Sequence, residues 1–186
     1  LHDTFGPNLA PNQVLGLPND LGSARALATQ NRHQFEYWAL SLVDARPAGD
    51  PKKGADRGID GAIYFFDDDT DKPKRVIIQV KSGHVNASVI RDLKGVLDRE
   101  KAQIGALLTL EEPTRPMRQE AAEAGMYQPP LLLPPVPRLQ ILTIGELLAG
   151  KKLDYPHVAP ATFKRAARQT KAKPTSAQQT LLDNDE

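Results

Sequence analysis

No cysteine occurs anywhere in the 186 residues. Disulfides and thiolate metal sites are therefore excluded, and any metal must be held by oxygen or imidazole, which favours hard ions such as magnesium. This suits a reducing, cytoplasmic setting. Long apolar runs are missing too: the best candidate, Ile104 to Leu110, has strand length and falls well short of the roughly 18 residues that cross a bilayer. A membrane role is not expected. There is no GxxxxGK phosphate loop and no GxGxxG turn, so ATP or dinucleotide use by this segment has no support. His33, His84 and His157 lack metal-ligand spacing. An excess of charge of one sign is also lacking, but the net +1 hides an uneven spread. Acids gather at Asp67 to Asp71 and at the C-terminus, and bases near Lys52 and from Lys164 to Lys173.

The length suits one domain of about 100 to 150 residues plus arms. The first residue is Leu and the methionines are Met117 and Met126, which reads as a piece of something longer. Residues 1–22 carry breakers and no periodicity, the signature of an arm or linker. Residues 23–152 are expected to form the domain, and 153–186 a basic, disordered tail. Within the domain, Phe35, Trp38, Ala39, Leu42 and Val43 recur at helical spacing and predict one helix over Ser23 to Ala45, capped by Ser23 or Asn19. Strands are predicted at Gly61 to Phe66 and Arg75 to Ser82, joined by an Asp-rich solvated turn. A helix over about Asn86 to Ala102, a buried strand at Ile104 to Leu110, a helix over Thr114 to Ala124 and a strand at Leu139 to Ile144 before a short helix, Gly145 to Ala149, complete a mixed α/β sheet. The five prolines of Gln128 to Pro137 exclude a central strand there and mark a surface excursion. Asp67, Asp68, Asp69 and Asp71 have the composition of a calcium loop but no glycine at its sixth position, so a hairpin turn is expected instead.

The chemistry-bearing residues lie around the predicted hairpin. Side chains alternate along a strand, so Gln79 and Lys81 emerge on one face while Val76, Ile78 and Val80 take the other. An antiparallel return brings Asp60 beside them. A carboxylate, an amide oxygen and an ammonium then share a small volume. Phosphodiester cleavage needs such a set: oxygen ligands to hold a divalent ion that acidifies water, and a cation to stabilise the nucleophile and the phosphate charge. Asp60 is the expected metal ligand, Gln79 a weaker neutral one and Lys81 the catalytic cation. One carboxylate holds magnesium poorly, and Glu36, beside the apolar stripe of the first helix, is the best further acid, with Asp56 a second possibility. Lys52, Lys53, Arg57, His84, Arg91 and Lys94 are the expected DNA contacts, and the tail bases add sequence-independent ones. No recognition helix or zinc site is evident, so choice of sequence is expected from another domain.

Phe35-Glu36 on a helix, then Gly58-Ile59-Asp60-Gly61, then Gln79-Val80-Lys81, resemble the restriction-endonuclease-like PD-(D/E)xK superfamily, most of all its Mrr branch, in which Gln stands at the second acidic position. The resemblance covers about Arg32 to Ala149 and implies a restriction-endonuclease-like α/β fold and Mg2+-dependent DNA cleavage, with Mn2+ an alternative ion. It also implies Asp60, Gln79 and Lys81 at the centre with Glu36 as accessory acid. The stretch from Lys52-Lys53-Gly54-Ala55-Asp56 through Lys81-Ser82-Gly83 to Pro113-Thr114-Arg115-Pro116-Met117 is similar to endonuclease-like domains that follow bacterial and phage DNA methyltransferase domains. That implies a covalently linked methyltransferase, a role in restriction-modification or phage defence, and a homodimer where both strands are cut. Alternatives are a DNA-binding module of the same fold that does not cut, and a protein-interaction domain that uses the proline-rich excursion.

Overall fold

The computed structural model describes residues 16–48, 58–68, 72–130 and 133–156. Its first two helices replace the single predicted one: α1 spans Leu21–Gln30 and α2 spans Arg32–Ser41. Asn31 separates them. Its backbone is extended and its side chain accepts the Gln34 N–H, so a residue read as helix interior serves as the N-cap of α2. The cap of α1 is Asp20 rather than Ser23 or Asn19, with Ser23 completing a reciprocal capping box.

A five-stranded sheet follows, in the order β1 (Arg46–Pro47), β2 (Gly61–Phe65), β3 (Lys74–Lys81), β4 (Ile104–Thr109), β7 (Leu139–Thr143). The first three strands run antiparallel, whereas β3, β4 and β7 are parallel. The mixed sheet follows from the connections. β2 returns antiparallel as β3 over residues 66–73, but β3 reaches β4 through α3 (Ala87–Glu100), and β4 is followed by α4 (Arg115–Glu123). Asn86 caps α3 through the Ser88 N–H, and Lys101 closes it in the left-handed conformation. A small ribbon, β5 (Met126–Tyr127) with β6 (Val136–Pro137), borders the proline-rich excursion, and α5 (Ile144–Leu148) follows β7 directly.

The sheet separates two apolar layers. Phe35, Trp38 and Leu40 of the helical pair pack on Val76, Ile78, Val80 and Leu108. Ile90, Leu93 and Leu97 of α3 and Met117 of α4 pack on Ile77 and Leu107. Every residue of β4 is buried, as expected of a parallel strand covered on both sides. The body continues beyond residue 152, since Leu153 is buried in the first layer and Tyr155 packs against Phe65. Gln140, on β7, grips this exit segment: its amide nitrogen donates to the Asp154 carbonyl at 2.6 Å and its oxygen accepts the Asp154 N–H at 3.0 Å.

The hairpin that joins β2 and β3 departs from a solvated turn at its base. Asp67 is fully buried. The Tyr127 hydroxyl donates to its Oδ2 at 2.5 Å, and the Lys74 ammonium lies 2.5 Å from its Oδ1 and 2.8 Å from Asp68 Oδ2. One local ammonium and a distant hydroxyl thus compensate the burial of this carboxylate. Burial works against the Lys74 charge, but Asp67, Asp68 and Tyr127 outweigh it and hold the ammonium above its ordinary range. Burial and the bond to Asp67 push the Tyr127 hydroxyl up to about 12. Among the described residues no helix is long and apolar enough to cross a membrane.

Candidate active site

The pairing of β2 with β3 runs Phe65↔Lys74 to Gly61↔Ile78. One step further in that register sets Asp60 against Gln79. Here the two strands separate: the Asp60 N–H donates to the Ile78 carbonyl at 3.0 Å rather than continuing the ladder. The Val80 N–H is taken up by the Asp60 side chain, whose Oδ2 accepts it at 2.6 Å. A carboxylate thus serves as the backbone's partner where the neighbouring strand has diverged, which fixes its position and orientation.

Alternation assigns the faces. Gly61, Ile63 and Phe65 are buried toward the α1–α2 layer, and a side chain at Gly61 would meet Leu40 Cδ2 at 2.5 Å. Gln79 and Lys81 take the opposite face by the same alternation, and Asp60 lies next to β3 where β2 leaves it, its carboxylate held on the Val80 N–H. Gln79 is 8% exposed, and its Oε1 is buried with no hydrogen-bond partner. An unmet buried amide oxygen costs on the order of 1–3 kcal/mol, so a donor or a cation beside it would be stabilising. Lys81 is half-buried, and among the described residues no carboxylate pairs with it. Thr109, fully buried, lies in register with Lys81 on the parallel neighbour β4.

Gly58 was not singled out by spacing, although the glycines flanking Ile59-Asp60 were a signal. Its φ of +70° is a left-handed conformation that side chains disfavour, and a Cβ there would sit 3.6 Å from Gln79 Nε2 and 3.4 Å from Val96 Cγ2. It lets the chain turn close over the glutamine before entering β2.

The other expected residues lie on separate elements or outside the described residues. Glu36 belongs to α2, whose buried side chains pack on the other face of the sheet. Its Oε1 lies 3.0 Å from Arg32 Nε and its Oε2 lies 3.4 Å from His33 Nδ1. Arg91 of α3 reaches across to Glu120 of α4 at 2.5 Å, while His84 and Lys94 are exposed. Lys52, Lys53, Asp56 and Arg57 lie outside the described residues. Among the described residues no three His, Asp or Glu side chains cluster tightly enough to hold a metal ion by themselves.

A family model for restriction endonucleases of the Mrr catalytic type matches residues 27–133, well over half of the chain. The chain belongs to this restriction endonuclease family. The match contains Glu36, Asp60, Gln79, Lys81 and Thr109, and it makes the chain a restriction-endonuclease-like domain of the PD-(D/E)xK superfamily. Divalent metal ions are typical of this restriction endonuclease family. Among solved structures, the chain is similar to the MspJI restriction endonuclease in complex with a 27-mer oligonucleotide, at 18% identity and a TM-score of 0.49. The similarity covers 76% of this chain and 34% of that one, so the chain spans about a third of that protein's length. No curated protein matches it.

The residues present fit a divalent ion in one respect that geometry tests. Asp60 supplies a positioned carboxylate, and beside it Gln79 supplies a buried oxygen without a hydrogen-bond donor. Magnesium takes few protein ligands, commonly one or two carboxylates, and completes its shell with water and phosphate oxygens. A site with one acid and one amide is compatible with that habit.

Proposed function

We propose that the chain is an endodeoxyribonuclease domain that hydrolyses DNA phosphodiester bonds with Mg2+, or Mn2+ in its place. What supports this reading is the Asp60 carboxylate fixed on the Val80 N–H, one residue along β3 from Gln79, whose buried Oε1 has no donor. Asp60 and Gln79 would hold the ion, and Glu36, on a helix whose buried side chains pack on the other face, would serve as accessory acid only by reaching round the sheet's edge. When bound, the ion supplies Lewis acidity toward water and the phosphate oxygens. Asp60, held by the Val80 N–H, keeps its place without reorganising. Gln79 adds an oxygen without adding charge. Lys81 sets a cation on the same face, where it orients the attacking water and stabilises charge that develops on phosphate.

Lys52, Lys53 and Arg57, with His84, Arg91 and Lys94, are proposed to carry the DNA backbone, as the family's substrate requires basic contacts. The sequence resemblance to domains that follow methyltransferases supports a place in a cytoplasmic restriction-modification or phage-defence protein. Cutting of both strands would then call for two copies.

The deciding experiment incubates the chain with supercoiled plasmid, methylated and unmethylated, in Mg2+, Mn2+ or EDTA, alongside Asp60→Ala. Ion-dependent nicking or linearisation that vanishes in the variant is the expected result. Cleavage that persists in Asp60→Ala refutes the assignment. A second reading, a DNA-binding module that does not cut, draws on the absence of a three-acid cluster among the described residues. It predicts salt-sensitive binding and intact plasmid under every ion.

A further inference from the structure

The face that carries Gln79 and Lys81 is only partly covered by helices. On it, α3 packs on β4 and α4 on β7. The outward residues of β2 stay open: Ala62 is partly exposed, and Tyr64, opposite Arg75 and so four residues along the strands from Gln79 on the same face, is 51% exposed. Arg46 of β1 stands opposite Ala62 and so shares this face. It is exposed, and among the described residues no carboxylate pairs with it. Arg75, opposite Tyr64, is held by the Glu100 carbonyl at 2.6 Å and adds a partly exposed guanidinium.

A lone exposed tyrosine on a strand needs no explanation, because strands favour aromatics. Its surroundings do. Four residues along a strand span about 13 Å, close to four base steps of duplex at about 3.4 Å each. The ring is therefore set a few nucleotides away from the acid that would face the scissile phosphate. Arg46 near it and Lys81 at the far end of β3 are cations without a carboxylate partner among the described residues, while Arg75 is paired with Glu100 at 3.8 Å; the two open charges suit a polyanion running past the proposed centre.

We propose that Tyr64 and Arg46 form a DNA-contact platform beside the cleavage centre. Arg46 meets a backbone phosphate, and the Tyr64 ring stacks on an unpaired or everted base about four nucleotides from the cut. The distance to the cut rests on the nuclease reading above, whereas the contact itself does not. The platform would favour DNA that is frayed, mismatched or locally opened.

The test measures binding by fluorescence anisotropy in the Asp60→Asn background, with fully paired duplex and the same duplex bearing an unpaired base. Tyr64→Ala should weaken binding to the opened duplex roughly tenfold, the order of one base–aromatic stack, and leave the paired duplex little changed. Tyr64→Phe, which keeps the ring, should bind as the parent does. Arg46→Ala should weaken both duplexes and lower the slope of log affinity against log salt by about one. Unchanged affinity in Tyr64→Ala, equal loss on both duplexes, or a change in sedimentation instead of DNA affinity would overturn the platform; the last would make the face a contact between copies. Plasmid cutting by the unmodified chain is scored separately. Ring-dependent binding without cutting refutes the nuclease and leaves the platform standing.

Discussion

Asp60 accepts the backbone N–H of Val80 at 2.6 Å, at the point where β2 leaves β3. The same carboxylate therefore serves the fold and the proposed chemistry, and substitution separates the two. Asp60→Asn keeps an oxygen for the Val80 N–H but loses the charge; Asp60→Ala loses both. Each is expected to abolish cleavage, while only the alanine variant should lose stability, by about 1–3 kcal/mol for a backbone donor left unmet. Plasmid cutting and denaturant unfolding measured together check this. Equal stabilities would mean that the bond does not support the fold.

Lys81 is half-buried, so its loss should be felt in catalysis first. Lys81→Ala is expected to lower the cleavage rate by about 10²–10³-fold, the order seen when one preorganised charge-stabilising group is removed. The midpoint of thermal unfolding should barely move. A rate within a few-fold of the parent's would remove Lys81 from the mechanism.

Gln79 carries a stability cost that function would explain. Replacing it by Met, similar in size and without the unmet oxygen, should leave stability unchanged or raise it by about 1–3 kcal/mol. Ion-dependent cutting should be lost at the same time. If Gln79→Met both cuts and is less stable, the oxygen already has its partner within the fold and is no candidate ligand.

Gly58→Ala forces a side chain into a left-handed backbone and toward Val96 and Gln79 Nε2. The backbone conformation alone should cost about 1–2 kcal/mol. For a chain of this size that corresponds to roughly 2–8 °C in unfolding temperature, with a loss of cutting as Gln79 is displaced. Calorimetry of the variant provides the check.

Alkaline unfolding should report on the buried network around Asp67. Tyr127 holds its proton more tightly folded than unfolded, because burial and the bond to Asp67 raise it from 10.0 to about 12. Its contribution is therefore fully present below pH 10 and disappears as the pH climbs toward 12. Lys74 is displaced upward as well, so its contribution also fades at high pH rather than low. Tyr127→Phe should be less stable at neutral pH by about 1–3 kcal/mol and show a shallower loss between pH 10 and 12. Parallel stability curves for the two proteins would count against the network.

Local periodicity made part of this molecule legible. That Gln79 and Lys81 share a face, and that β2 returns beside them, required only the two-residue repeat of a strand and a hairpin, both of which act over short sequence distances. The buried strand Ile104–Thr109 announced itself by continuous apolarity. The break at Asn31 stayed hidden because the apolar spacing of α2 begins just beyond it, and an asparagine suits either a helix interior at modest cost or a cap. The burial of Asp67 depends on Tyr127, 60 positions away in sequence, and nothing near the turn signals that partner. The β5–β6 ribbon escaped for the same reason: each strand has two residues, one of them Pro137, and only tertiary packing makes them pair. Glu36 was read from its place beside the apolar stripe and from the resemblance, and neither says which face of the sheet that helix covers.

Gln140 has a consequence for how copies of this chain can meet. By bonding both main-chain groups of Asp154, it makes the exit segment a stand-in for a further strand along the outer border of β7. The opposite border, β1, has two residues, and one is a proline without an N–H to offer. Among the described residues neither border offers a long open ladder for an incoming strand, so growth of the sheet from molecule to molecule is discouraged at both.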